Sequence, residues 1–292
     1  MVDISKKLDK FRKKLLDNPF NTSIIFILIS LILVLYFASF RNNLRFFISS
    51  DILFLLLRFI ISMIIYALYS IFFLHFVMYL PDGKQSFADF LKTVKLMKSS
   101  LKIKEILLGL LIGIIVVIGS LFTDFIFDGL EYSFDFNLIL GSPNYPNLGY
   151  FNFLYHITPA LWEELIFRGI IITLLLKKFS TRIVIILNGV IFGIFHLANL
   201  SVETGILTLG QVIYNTCFGI SLGYLYLKTS NLIPCILAHY ANNIISVIMT
   251  STVLVSVYFY SVIFLSLFVL IFRLGIIRLN KMVKMETSAT ST

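Results

Sequence analysis

Residues 158–176 have the sequence TPALWEELIFRGIIITLLL, a run apolar enough for lipid that nevertheless contains two adjacent glutamates and an arginine. Ionised side chains within a bilayer cost several kcal/mol each, so Glu163, Glu164 and Arg168 must face a bundle interior or a wet cavity. Glu164 and Arg168 are four residues apart, on one face of a helix, and can neutralise each other. Glu163 points about 100° away from Glu164, so this pairing does not explain its presence.

The rest of the chain is similarly apolar. Of its 292 residues, 59% are hydrophobic and 13% are charged, and the mean hydropathy is +0.96. Soluble domains usually contain roughly a quarter charged residues. Cys217 and Cys235 fall in apolar segments, which predicts small core residues and not a disulfide or a metal set. The composition predicts an all-α fold, a polytopic helical bundle in a membrane.

Charges, prolines and polar clusters divide the chain into candidate membrane spans. Because a helix needs about 20 residues to cross the hydrocarbon core, the pattern predicts about eight spans. They are residues 22–40, 52–80, 106–123, 150–176, 183–200, 206–227, 232–250 and 253–272. We expect one bundle domain at residues 22–272, preceded by a basic amphipathic segment at residues 1–21 and followed by a cytoplasmic tail at residues 273–292.

The distribution of basic residues predicts the orientation in the membrane. With the N-terminus in the cytoplasm, the cytoplasmic segments hold 20 of the 24 lysines and arginines, whereas residues 124–149 contain four acids and no base. Cytoplasmic loops carry the positive excess, so we expect a multi-pass membrane protein with both termini inside. The basic composition, rich in Phe and Ile and without an organelle signal, indicates a bacterial plasma membrane. The net charge of +9 is expected to face anionic headgroups of the inner leaflet, with no nucleic-acid partner.

Polar residues recur in two later spans. His196 lies roughly 20 Å from the inner end of its span, a depth similar to that of Glu163. His239 and Asn243 are four residues apart and therefore share a helix face. These four residues are predicted to form one site. His75 and His156 are not accompanied by other candidate site residues, so they are predicted to be structural residues.

The same residues form three motifs that resemble those of a known family. The segments EELIFR, FGIFH and HYANN are similar to the EExxxR, FxxxH and HxxxN motifs of the CPBP family, the CAAX proteases and bacteriocin-processing proteins also called Abi. Each motif is short, but the three occur in the family's order on successive predicted helices. The resemblance covers residues 150–250 and includes the following positions: Glu163, Glu164, Arg168, Phe192, His196, His239 and Asn243.

The resemblance implies an intramembrane endopeptidase, similar to CAAX prenyl protease 2, that needs no cofactor. In such an enzyme Glu163, helped by His196, activates a water molecule. His239 and Asn243 donate hydrogen bonds to the oxyanion of the peptide carbonyl. The other residues of the implied site surround and orient these catalytic groups; they are Glu164, Arg168 and Phe192. A carboxylate in water-poor surroundings is suited to act as a general base. Oriented hydrogen-bond donors are suited to stabilise the oxyanion.

Other interpretations stay open at this point. Glu163, His196 and His239 can instead be ligands of a catalytic zinc ion, although the HExxH spacing is absent. Intramembrane Glu and His residues also serve proton-coupled transporters, and a noncatalytic regulatory or immunity protein is a further alternative. The expected substrate is a peptide or membrane-associated protein, related to pheromone maturation or bacteriocin immunity, that enters from the cytoplasm.

Overall fold

The computed structural model describes residues 2–47, 53, 56–57, 59–64, 87–96, 103–128, 133–134, 149–201 and 205–250. Most of the predicted span 52–80 and all of the span 253–272 lie outside these residues. The described helices are α1 (Val2–Asp17), α2 (Pro19–Phe47), α3 (Phe87–Thr93), α4 (Ile103–Asp128), α5 (Gly149–Glu164), α6 (Ile172–Leu175), α7 (Thr181–Phe195), α8 (Gly205–Thr229) and α9 (Ile233–Ile248).

Helices account for nearly all of the described structure. A π-helix, Leu165–Ile171, joins α5 to α6, and a 3-10 helix, His196–Ser201, follows α7. Two very short strands, β1 (Ser133–Phe134) and β2 (Met249–Thr250), pair in antiparallel fashion. The predicted all-α class is therefore confirmed for the described residues, with this two-residue pairing as a minor addition.

Few of the described helices are both long and apolar enough to cross a membrane. By length and hydropathy, the segment Thr181–Leu200 is able to cross a membrane, with a mean hydropathy of 2.2. The pair Asp9–Asp17 and Pro19–Leu33, bent by 104°, gives a second such segment if it is counted as one span. The described residues thus provide one or two spanning segments, and the bundle of eight spans stays a prediction.

Glycines allow close approach of the helices that carry the predicted site. On α7, a Cβ atom added to Gly189 would lie 2.8 Å from the carbonyl oxygen of Thr216 on α8. On α4, a Cβ atom added to Gly113 would lie 2.6 Å from the Cβ atom of Ala241 on α9. Small residues at such contacts are typical of tightly packed membrane helices. These contacts fix the backbones of α7 and α9 relative to their neighbours.

The start of α9 is held by a buried polar contact with α4. The Oδ1 atom of Asn231 accepts a hydrogen bond from the backbone N–H of Ile233, and the Nδ2 atom donates to Oε2 of Glu105 at 3.1 Å. Ser230, with φ of 48°, turns the chain into this contact. Because orphan N–H groups at a helix start need acceptors, Asn231 stabilises the end of α9 that precedes His239.

The core is apolar at one end of this helical group. Most residues of the π-helix and α6 are buried there, and α8 and α9 supply the facing side chains, with Cys217 and Cys235 both buried and unbridged. The buried set at this end includes Ile171, Leu174, Leu175, Leu222, Leu225, Tyr226 and Leu232. The predicted site residues lie towards the other end, where several side chains keep part of their surface.

Candidate active site

The EELIFR motif spans the junction between α5 and the π-helix. Glu163 and Glu164 end α5, and Arg168 lies in the π-helix. The wider turn is visible at the carbonyl oxygen of Phe167, which accepts from the backbone N–H of Ile172, five residues later. The Nδ2 atom of Asn188 on α7 donates to the same oxygen at 2.7 Å. The π-helix is rare in proteins and is frequent at functional sites.

Glu164 is the centre of a fully buried charged cluster. Its Oε1 atom accepts hydrogen bonds from Nη1 of Arg168 and from Nδ1 of His239, both at 2.8 Å. The side chains of Glu164 and Arg168 have no exposed surface. Since a carboxylate paired with arginine only accepts, Nδ1 is the protonated nitrogen of His239. Glu164 therefore fixes the orientation of the imidazole and directs Nε2 towards the interior of the site.

Arg168 also contacts α7 and α8. Its Nη2 atom donates to the carbonyl oxygen of Gly219 on α8 at 3.4 Å. Its Cζ atom lies 4.3 Å from the ring centroid of Phe192, a cation–π geometry. The guanidinium thereby bridges three helical segments. The spacing of the motif indicated only the contact of Arg168 with Glu164.

Glu163 has a different environment. Its side chain is 14% exposed, and its Oε2 atom lies 3.9 Å from Nε2 of His239. That separation is too long for a direct hydrogen bond, but a water molecule beside the pair is within reach of both atoms. The Oε2 atom is buried and makes no hydrogen bond with the described residues. Among the described residues, Oε2 of Glu163 therefore remains available to accept a hydrogen bond from water.

His196 stands at the point where α7 changes into the 3-10 helix. Its Nδ1 atom lies 2.9 Å from the carbonyl oxygen of Phe192, so Nδ1 carries the proton and Nε2 is an acceptor in the neutral ring. Its electrostatic neighbours are Glu163, His239 and Arg168. The ring of Phe192 meets His196 and His239 edge to face, at centroid distances of 4.9 and 5.9 Å. Phe192 is therefore a wall shared by both imidazoles.

Asn243 lies one helical turn after His239 on α9 and is partly buried. Its side chain makes no hydrogen bond with the described residues, which leaves its amide N–H groups available as donors. The preceding residue, Asn242, is buried and accepts a hydrogen bond from Tyr214 at 2.5 Å. The two adjacent asparagines thus differ in their contacts, since Asn242 joins α8 to α9 whereas Asn243 lies one turn after His239 on α9.

The remaining sequence predictions concern other histidines and a metal. His75 lies outside the described residues, and His156 lies on α5 about two turns before Glu163. Within the described ranges, no three His, Cys, Asp or Glu side chains are grouped so that they could hold a metal ion. The alternative zinc set of Glu163, His196 and His239 is therefore not assembled as a ligand group in this structure.

Three features of the site were not predicted from the sequence. The π-helix has no local signature in the motif, and Asn188 occurs in an apolar run without a motif of its own. The contact between Glu164 and His239 joins residues 75 positions apart. An isolated buried amide at residue 188 was the available signal, because such a group needs a hydrogen-bond partner.

Comparison with known proteins agrees with the three motifs. Residues 146–245 match the family model described as type II CAAX prenyl endopeptidase Rce1-like. The match covers 100 of the 292 residues and contains the whole motif set from Glu163 to Asn243. No curated protein matches the chain. The matched family is one of membrane-associated CAAX-type proteases, and residues 146–245, which hold the candidate site, are similar to it.

Proposed function

We propose that this protein is a membrane endopeptidase that hydrolyses peptide bonds with a water molecule activated by Glu163 and His196, without a metal ion. The observation that carries the proposal is the convergence of charged and polar side chains from four helical segments in an apolar core. Such groups are costly in low dielectric and mark functional sites. The converging residues are Glu163, Glu164, Arg168, His196 and His239. Asn243 lies one turn after His239 on α9.

Glu163 is the proton acceptor in this mechanism. Its available Oε2 atom and the Nε2 lone pair of neutral His196 can both accept from one water molecule. Loss of a proton to Glu163 makes the water oxygen a nucleophile, which attacks the carbonyl carbon of the peptide. Glu163 then returns that proton to the nitrogen of the leaving amine as the C–N bond breaks. Glu163 therefore acts first as the general base and then as the general acid.

His239 and Asn243 stabilise the negative charge that develops on the carbonyl oxygen. Glu164 accepts from Nδ1 of His239, as a carboxylate does in a Ser-His-Asp triad, and this contact holds the ring with Nε2 towards the site. Nε2 donates to the oxyanion when the ring carries a proton on both nitrogens. The amide of Asn243 supplies a second donor from the same helix. Fixed donors of this kind are worth about 100- to 1,000-fold in rate each.

Dependence on a metal ion distinguishes this mechanism from zinc catalysis. The purified protein in detergent micelles should cleave members of a peptide library at the same rate before and after treatment with a strong chelator. The expected reason is that Glu163 and His196 activate the water without a Lewis acid. Metal content is measured by mass spectrometry in parallel. Stoichiometric zinc with activity that is lost on chelation and restored by zinc would instead assign Glu163, His196 and His239 as ligands.

We also propose a bacterial plasma-membrane location with both termini in the cytoplasm. The lysines of α1 are exposed where described, at residues 6, 7, 10, 13 and 14, and suit contact with anionic headgroups. A cysteine introduced at Asp135, in the acidic segment, should react with an impermeant thiol reagent on intact cells, whereas one at Lys92 should not. Reaction at Lys92 alone would reverse the orientation.

The substrate is proposed to be a peptide or a membrane-associated protein, as in pheromone maturation or bacteriocin immunity. The apolar surroundings of the site favour a substrate segment that partitions into the membrane. A comparison of peptides from cells with and without this protein identifies the substrate. Accumulation of an uncleaved precursor only in cells that lack the protein is the expected result.

A further inference from the structure

Two side-chain pairs lie beside the motif residues and have no part in the mechanism above. The Nδ2 atom of Asn199, in the 3-10 helix, donates to Oε1 of Gln211 on α8 at 2.6 Å. The hydroxyl of Tyr214, also on α8, donates to Oδ1 of Asn242 on α9 at 2.5 Å. We call these four residues the polar strip. It links the 3-10 helix, α8 and α9 across the predicted site.

The polar strip connects the two histidines of the site. Residues three apart eclipse each other in a 3-10 helix, so Asn199 lies over His196. Asn242 follows His239 by three residues on α9 and therefore lies nearly one turn further along the same side. Tyr214 adds a second link through a stacked ring. Its ring lies parallel to that of Phe218 at 6.1 Å, and Phe218 meets His239 edge to face at 5.7 Å.

Three residues of the polar strip keep part of their surface, as do two residues of the site. Asn199, Gln211 and Tyr214 are partly buried, and so are Glu163 and Asn243. The other end is closed by apolar side chains of the π-helix, α6 and α8 that have almost no exposed surface. Among the described residues, Glu163 and Asn243 thus share partial exposure with three residues of the polar strip, whereas the apolar end is buried.

The chemistry of the polar strip is neutral throughout. It consists of three carboxamides and one phenol, which donate and accept hydrogen bonds but carry no charge. A proton path or an ion site would use carboxylates or imidazoles. A peptide main chain instead offers one N–H and one C=O per residue in an uncharged form. Carboxamides match both groups, as they do where proteins bind extended peptides.

We infer that the polar strip binds the main chain of an extended peptide substrate beside the scissile bond and so contributes to substrate affinity. The inference rests on the proposed protease function and deepens it, because it names the part of the substrate that is recognised. In the predicted topology the strip is at the end of α7 and α9 that faces away from the cytoplasm. Substrate entry at that end would replace the cytoplasmic entry expected from the sequence.

The test uses the full chain, purified in detergent micelles, and a synthetic library of N-acetylated, C-amidated dodecapeptides. The library member that the wild-type protein cleaves fastest is the kinetic probe. Gln211→Met and Tyr214→Phe each remove polar atoms of the strip while keeping the size of the side chain. Ser221→Ala is the matched control, because it removes a similar hydrogen bond on α8, from Ser221 to the carbonyl oxygen of Cys217 at 3.0 Å.

Each strip variant should raise the KM of the probe by about five- to tenfold and leave kcat within about twofold of wild type. The control should leave both constants unchanged. Probes N-methylated at one main-chain amide at a time should include one position that weakens wild-type binding but adds no further loss in the matching strip variant. That coupling would not arise from a structural role alone.

The outcomes separate the inference from the function on which it rests. Wild-type values of KM in both strip variants would overturn the role of the polar strip while leaving the protease function in place. A fall of kcat with unchanged KM, accompanied by a lower unfolding temperature, would also overturn it and assign a structural role. Cleavage of no library member by the wild-type protein would overturn the proposed function itself.

Discussion

Replacement of Glu163 with glutamine is expected to abolish peptide hydrolysis and to leave the protein folded. The amide keeps the shape of the carboxylate but cannot take a proton from water. Oε2 of Glu163 has no hydrogen-bond partner among the described residues, so the substitution breaks no described bond at that atom. Loss of a general base typically costs about 100- to 10,000-fold in rate. We therefore expect kcat to fall by at least that lower factor.

The measurement is turnover of a cleaved library peptide by wild-type and Glu163→Gln protein at equal folded concentration. Glu105→Gln is a matched control, because Glu105 is also a buried glutamate and its Oε2 atom accepts from Asn231. The amide oxygen can still accept that bond, so turnover should stay within a few-fold of wild type. Normal kcat in Glu163→Gln protein would remove Glu163 as the base.

The sequence was sufficient to predict the helical class and the positions of the motif residues. Helical periodicity places Glu164 with Arg168, and His239 with Asn243, because each pair is four residues apart. It also separates Glu163 from Arg168. These are properties of single helices, so local spacing determines them.

Contacts between helices could not be predicted in the same way. Glu164 accepts from His239 only because α9 packs beside the π-helix, and no local pattern gives the register of that packing. The π-helix is also contacted from another helix, since Asn188 on α7 donates to the carbonyl oxygen of Phe167. Sequence spacing therefore predicts Arg168 as the partner of Glu164, whereas the structure adds His239 as a second partner.

The packing of α4 against α9 had a weak sequence signal. The segment GLLIG places Gly109 and Gly113 four residues apart, a pattern typical of close helix pairs in membranes. The pattern does not identify the partner helix. In the structure the partner is the helix that carries His239 and Asn243, so a segment outside the family match supports the site.

Removal of the positive charge at Arg168 should have the largest effect on stability. The side chains of Arg168 and Glu164 are both fully buried, and the distance between Nη1 and Oε1 is 2.8 Å. Without the guanidinium, His239 would be the remaining hydrogen-bond partner of Glu164 among the described residues. A buried ion that loses its partner typically destabilises a protein by about 3–5 kcal/mol, since its desolvation is no longer compensated.

Arg168→Met should therefore lower the free energy of unfolding by about 3–5 kcal/mol, as measured by denaturant titration in detergent micelles. Lys92→Met is the exposed control, because Lys92 and Asp89 form an ion pair at 3.6 Å with exposed fractions of 65% and 44%. That substitution should change the free energy by less than about 1 kcal/mol. The double variant Arg168→Met, Glu164→Gln removes both buried charges and should recover part of the loss. Equal losses in Arg168→Met and Lys92→Met proteins would contradict the idea that the buried charge of Glu164 depends on Arg168.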